Sequence, residues 1–273
     1  MLKDITLGQY FPGTSVLHRL DPRMKIILTV FYITAVFFAK NIFSFVLVTA
    51  YTFILIAVSR IPIKIILKGM KPLLLIIAFT AILKVFWTKG DTLLWEFSFI
   101  KIYLEGVMFA VLMIVRISAL LMGTSVILTY TTSPIALTDG LERLLAPLKK
   151  IKVPVHEFSM MMTIALRFIP TLIEETDKIM SAQKARGADF SSGSLVQRAK
   201  ALIPVLIPLF VSAFRRADEL AVAMECRCYR GGDGRTRMTV THLGARDYTM
   251  LMLFAAGAAS LILCNIFAPG FSL

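Results

Sequence analysis

Residues 157–230 read EFSMMMTIALRFIPTLIEETDKIMSAQKARGADFSSGSLVQRAKALIPVLIPLFVSAFRRADELAVAMECRCYR. This stretch is too polar for a membrane span and too apolar for helices standing alone in water. Ile164, Phe168, Leu172, Ile179 and Met180 recur at helical spacing, as do Leu202, Ile203, Leu206, Leu209, Phe210 and Phe214. The spacing predicts two long helices, roughly Glu157–Ala185 and Leu195–Cys226, each running from an apolar half into a charged half. Glu174 and Lys178 are placed for an i,i+4 ion pair. Pro170, Pro204 and Pro208 fall inside the helices, where each removes a backbone bond and kinks the axis at a cost of ~3 kcal/mol or more. Such helices suit a course in or under a bilayer. At ~1.5 Å per residue each reaches roughly 40–50 Å.

Both helices finish at an arginine, as Ala185-Arg186-Gly187 and Cys226-Arg227-Cys228. Gly187 reads as a C-terminal stop. A cation in the last turn gains about 0.3–1 kcal/mol from the helix dipole, which alone would account for either arginine. The small neighbours Ala185 and Gly187 add something that account does not need, because they let a partner surface approach closely. Pro170 precedes Arg186 by 16 residues and Pro208 precedes Arg227 by 19, so the two ends form a paired device and not a clean repeat.

Working outward, 57% of the 273 residues are hydrophobic and mean hydropathy is +0.77. The excess sits in blocks, as in an integral membrane protein. The net charge of +13 would also suit nucleic acid, but the basic residues lie in loops between apolar blocks, which is the positive-inside pattern. Cys226, Cys228 and Cys264 make no disulfide framework, and Cys-x-Cys offers at most two metal ligands, so no metal site is expected. No cleavable signal peptide is expected either.

Asp21-Pro22 reads as an N-cap followed by proline at the first helical position, so a helix starts at Pro22. Met24–Ala39 and Ile42–Val58 form two spans with a tight turn at Lys40-Asn41. Arg60, Lys64, Lys68 and Lys71 mark an inside loop without an acid. Leu73–Trp87, Gly106–Tyr130 and Tyr248–Phe267 are the remaining spans. Residues 88–105 belong outside. Residues 131–246 show no 18-residue apolar run and hold 17 Lys/Arg against 11 Asp/Glu, so they belong inside. They open with a short amphipathic helix through Leu137, Leu141, Leu144, Leu145 and Leu148. The expected fold is an all-α integral membrane protein with about five transmembrane helices and long cytoplasmic helices. It divides into 1–130 with four spans, the 131–246 cytoplasmic region, and 247–273 with the last span. The N-terminus lies inside.

These residues resemble a known family, the transmembrane (T) component of energy-coupling-factor transporters, which includes cobalt- and biotin-transporter permease subunits. The likeness covers nearly the whole chain. It rests on Tyr10-x-Pro12-Gly13-x-Ser15-x-x-His18-x-Leu20-Asp21-Pro22-Arg23-x-Lys25 and on Leu166-Arg167-Phe168-Ile169-Pro170. It rests also on Ala182-Gln183-x-Ala185-Arg186-Gly187-Ala188 and on Arg216-Ala217-Asp218-Glu219-Leu220-Ala221-x-Ala223-Met224-Glu225-x-Arg227. The resemblance implies that Ala185, Arg186, Gly187, Cys226, Arg227 and Cys228 dock two ATP-binding-cassette subunits. Those subunits would hold ATP and Mg, so this chain needs no cofactor and is not itself an enzyme. A separate S component would bind the micronutrient, a vitamin or transition-metal ion, in the cell membrane of a prokaryote. Cys226 and Cys228 depart from the family's Ala and Gly but are also small.

The chain contains no Gly-x-x-x-x-Gly-Lys-Ser/Thr, so nucleotide chemistry lies elsewhere. A self-contained secondary transporter is the alternative, and it would need ionisable groups at membrane depth; Arg116 and Lys84 are the candidates. An intramembrane enzyme is not supported, because His18, His156 and His242 are scattered and the spans hold no acids. His18 reads as structural. Met160-Met161-Met162 reads as packing, with a flexibility that would suit a surface taking several partners.

Overall fold

The computed structural model describes residues 10–88, 92–97, 100–190, 192–232 and 243–267, excluding the side chains of 93–97, 100–102 and 195. Lys89, Asp91, Asp233, Gly234 and His242 lie outside the described residues. In chain order the helices are α1 (Pro22–Phe38), α2 (Ile42–Ser59), α3 (Ile63–Met70) and α4 (Leu74–Trp87), with a 3-10 turn over Lys71–Leu73. Then come α5 (Leu104–Thr124), which continues as a π-helical turn Ser125–Thr129, and α6 (Pro134–Leu144). A second 3-10 segment (Ala146–Ile151) precedes α7 (Val155–Ala185), α8 (Leu195–Cys226) and α9 (Ala245–Phe267). Leu148 therefore sits on the 3-10 segment and not on α6, because Pro147 restarts the chain there. Among the described residues the structure is all-α apart from one small antiparallel hairpin, Leu93–Phe97 with Ile100–Tyr103, in the loop between α4 and α5.

Five described helical stretches are long and apolar enough to cross a membrane: Ile42–Ser59, Ile63–Trp87, Leu104–Thr129, Val196–Cys226 and Ala245–Phe267. Three points differ from the sequence reading, the first being that the stretch ending at Trp87 begins at Ile63 and not Leu73, because α3 and a 3-10 turn take the place of the expected loop. Helix α1 has 17 residues, shorter than the others. Helix α8 contains an apolar window after all, with mean hydropathy 1.4, the lowest of the five. The reason is the uncharged run between Lys200 and Arg215, whose flanking basic residues hide it from a search for unbroken runs.

The described residues form two compact units, one within 10–143 and 243–267 and the other within 144–232. In the first, α1, α2, α5 and α9 pack around Leu28, Tyr32, Val36, Phe45, Val48, Leu112, Ala119, Phe254 and Leu261. The Tyr32 hydroxyl donates to the Ala119 carbonyl at 2.8 Å and lies 2.7 Å from Thr52 Oγ1, so the buried phenol is satisfied across three helices. A Cβ at Gly123 would lie 2.3 Å from the Tyr32 ring, so this glycine makes room for the tyrosine.

The segment before α1 is a buried polar knot. Asp21 caps the helix by accepting from Arg23 N at 2.9 Å, with Pro22 at the first turn. Asp247 at the start of α9 accepts from Asp21 N at 2.9 Å and from Gly244 N at 2.8 Å. Lys25, 2% exposed, donates to the Thr131 carbonyl at 2.7 Å and the His18 carbonyl at 3.2 Å. His18 Nε2 lies 2.9 Å from the Phe11 carbonyl, which can only accept, so Nε2 carries the proton. Its Nδ1 then accepts from the Ser15 hydroxyl at 2.6 Å. Desolvation lowers the His18 pKa, the Phe11 carbonyl opposes this, and the nearby Lys25 charge adds to the lowering.

At the other end of this unit, Asn265 of α9 closes the turn between α1 and α2. Its Nδ2 donates to the Phe38 carbonyl at 2.6 Å and its Oδ1 accepts from Ser44 Oγ at 2.7 Å. Arg116 on α5 faces protein, as expected for a charge at that depth. It donates to the Ala39 carbonyl at 2.6 Å and sits 5.0 Å from the Phe45 ring centroid.

Two outcomes follow. Gly123→Ala should destabilise the purified protein by about 1–3 kcal/mol through overpacking against Tyr32, read as a lower thermal midpoint in detergent; an unchanged midpoint would contradict the packing described. His18 is held neutral below its usual pKa of about 6.5, so the unfolded chain binds more protons as pH falls. The stability that His18 supplies is complete above pH ~6.5 and is lost as pH drops through the lower folded value. Wild type should therefore lose more stability on acidification than His18→Gln, and equal slopes would contradict the neutral tautomer.

Candidate functional site at two helix ends

The second unit is built on α7 and α8, of 31 and 32 residues. The start of α8 is defined by a capping box: Ser194 Oγ accepts from Gln197 N at 3.4 Å while Gln197 Oε1 accepts from Ser194 N at 2.9 Å. Ser194-x-x-Gln197 is legible in the sequence as that signature. Both helices run through their prolines. Because Pro208 has no N–H, the Pro204 carbonyl lacks its usual partner, and the Gln183 side-chain amide donates to it across the pair at 3.4 Å.

Arg216 reaches Glu175 at 2.9 Å and joins the two helices at mid-length. A hydrogen bond from Ser212, then the Arg216 charge, hold the Glu175 carboxyl below its usual pKa. The expected Glu174–Lys178 pair is not among the ion pairs of the described residues. Both side chains are exposed, and an exposed i,i+4 pair contributes only a few tenths of a kcal/mol.

The contacts give the two helices one sense. Gln183 meets Pro204, Glu175 meets Arg216, and Gly232 lies against the His156 ring. As the α7 number falls the α8 number rises, so the pair is antiparallel along its length. Antiparallel packing therefore sets the charged half of α7 beside the apolar half of α8. Continuing the register places Arg186 beside about residue 203 of α8. Some 24 residues, or roughly 36 Å at 1.5 Å per residue, then separate it from Arg227.

Both ends are built alike. In α7, Gly187 N donates to the Lys184 carbonyl at 2.9 Å and Ala188 N to the Gln183 carbonyl at 3.0 Å. In α8, Cys228 N donates to Glu225 at 2.8 Å and Tyr229 N to Met224 at 3.0 Å. These are two Schellman motifs, with Arg186 and Arg227 at the C-cap positions and a left-handed residue next. The left-handed residue is Gly187 at φ 88° in one and Cys228 at φ 55° in the other. Residues 185–187 and 226–228 are all exposed, and a Cβ at Gly187 would meet nothing within 4 Å. Among the described residues neither arginine makes an ion pair. Each is therefore a free cation at the negative end of a helix dipole, open to an acidic or carbonyl-lined surface.

Sequence reasoning placed both ends to the residue but missed the strain at Cys228. A cysteine gives no sign of a left-handed backbone, whereas Gly187 does. Cys228→Gly should stabilise the α8 end, and Gly187→Ala should weaken the α7 end, each by on the order of 1 kcal/mol. Amide hydrogen exchange over each last turn reads both, and shifts of the same sign would contradict the shared geometry.

A family model described as "Cobalt transport protein" (CbiQ) matches residues 13–238. A protein of Ruminiclostridium cellulolyticum, "Energy-coupling factor transporter transmembrane protein EcfT", is 58% identical over 238 residues, 87% of this chain and 88% of its own. Proteins of the same description are 54% identical in Clostridium kluyveri (91% and 92% covered) and 45% identical in Bacillus subtilis (96% and 98% covered). With its apolar helices, its N-terminal knot and its two arginine helix ends, the chain belongs to the family of transmembrane proteins of energy-coupling factor transporters.

Proposed function

We propose that this chain is the energy-transducing subunit of an ATP-driven importer, with Arg186 and Arg227 as its two points of contact with ATPase subunits. The observation that carries this reading is the placement of two matching Schellman ends at opposite ends of one antiparallel pair. A separation of roughly 36 Å is too large for one small groove and suits two subunits, each taking one end. Ala185 with Gly187 and Cys226 with Cys228 leave each arginine open to close approach. ATP and Mg would be held by those partners, and this chain would carry no catalytic group.

The exposed apolar ladder of α8 supports an S component as the third partner. Leu202, Ile203, Leu206, Ile207, Phe210, Val211 and Phe214 are 41–67% exposed, a surface that water does not tolerate in bulk. Exposed Met161 and Met162 on α7 would let that surface re-pack against different S components. Movement of the ATPases would be felt along a pair cross-linked by Glu175 and Arg216, so the helices would act as a lever on a vitamin- or metal-ion-binding subunit. The basic 131–246 region and the N-terminus would face the cytoplasm of a prokaryotic cell, with the α4–α5 hairpin outside.

Arg186→Glu combined with Arg227→Glu should abolish ATPase co-purification and uptake while leaving membrane insertion intact. Each single change should cost less, because the other end still docks. Normal co-purification by the double variant would overturn the reading.

A further inference from the structure

Residues 60–71 carry Arg60, Lys64, Lys68 and Lys71 and no acid. The structure shows what this run builds. Arg60 ends α2 in the left-handed region at φ 56°, a strain that glycine would not incur. Helix α3 then turns inward with Ile66 at 2% and Met70 at 6% exposure, preceded by Ile61 at 5%. The Tyr130 hydroxyl donates to the Ile65 carbonyl at 3.4 Å. With its inner face held by burial, the outer face of α3 is determined.

That outer face presents Lys64 and Lys68, with Lys71 following on the first residue of the 3-10 turn; spaced four and three residues apart, the three are neighbours on the helical surface. Beside this row, on the side next to buried Met70, lie Ile63 at 49% and Leu67 at 52% exposure. Among the described residues none of the four cations makes an ion pair. A face turned to bulk water has no use for Ile63 and Leu67, and one turned to hydrocarbon has no use for three ammonium groups. A row of cations bordered by exposed aliphatic side chains matches the boundary between headgroups and acyl chains.

Length agrees. Ile63–Trp87 has 25 residues, against about 20 needed to cross the hydrocarbon. Without α3, the three residues of the 3-10 turn and the fourteen of α4 remain, a span at the short end of the usual range. Helix α3 is thus left at headgroup depth, directly continuous with the span.

We propose that Arg60 and α3 form a binding site for an anionic phospholipid. Lys64, Lys68 and Lys71 donate charge-assisted hydrogen bonds to its phosphate oxygens, and Ile63 and Leu67 enter the acyl boundary beside it. Lysines serve this role because an ammonium is a point charge on a flexible stem, which follows a mobile headgroup without demanding one geometry.

The test uses the full chain in nanodiscs of phosphatidylcholine with one-fifth phosphatidylglycerol, with retained lipid read by native mass spectrometry after mild delipidation. Wild type should retain phosphatidylglycerol in preference to phosphatidylcholine. The triple variant Lys64→Gln, Lys68→Gln, Lys71→Gln should bind it roughly a hundredfold more weakly, and the triple Lys→Arg variant should restore it. If the triple Gln variant melts before the assay, Lys68→Gln alone should still lower retention roughly fivefold. Wild-type retention by the Gln variants, or no preference in wild type, overturns the proposal. So does a triple variant that keeps its phosphatidylglycerol and instead loses a co-purifying protein, which would make α3 a protein interface.

Discussion

The antiparallel pairing of α7 and α8 is the constraint on which the functional geometry depends. Glu175 and Arg216 close it at mid-length, and Gln183 meets the Pro204 carbonyl near one end. Had the helices run parallel, their arginine ends would lie side by side and could serve only one surface. Because they are antiparallel, one C-terminus points each way, and a single helix pair exposes two separate arginine ends. The ion pair is partly exposed and contributes modestly to stability. Its importance lies in register, since it fixes which residue of α7 faces which residue of α8.

A different principle organises the other unit. Lys25 is buried, so its charge is tolerable only where carbonyl oxygens and carboxylates surround it. The Thr131 and His18 carbonyls, with Asp21 and Asp247 nearby, meet that need. The same groups tie the starts of α1 and α9 to the end of the α5 π-turn. At the opposite end Asn265 closes the α1–α2 turn, and Arg116 spends its charge on the Ala39 carbonyl and the Phe45 ring. With Arg116 engaged in this way, one of the two charges that the secondary-transport alternative relied on, the other being Lys84, already has protein partners.

Much of this was legible in the chain. Asp21-Pro22 announced the start of α1, the Lys40-Asn41 turn was visible as a break in hydropathy, and both arginine ends were placed to the residue. These features are local, governed by caps, proline and glycine. What escaped the reading is non-local or disguised. Nothing near Glu175 says that its partner lies 41 residues away, and the exposed Glu174 looked the better candidate by spacing alone. Cys228 hides a left-handed backbone behind a residue that rarely adopts one. The apolar run of α8 was masked by the basic residues that bracket it. The short hairpin before α5 left too weak an alternation to notice.

The most direct test of the account is photo-crosslinking in the assembled transporter, with a benzophenone amino acid at both position 185 and position 226 of one chain. The account expects a single adduct containing this chain and two ATPase subunits, one from each position. An adduct in which both positions attach to the same ATPase subunit would contradict it.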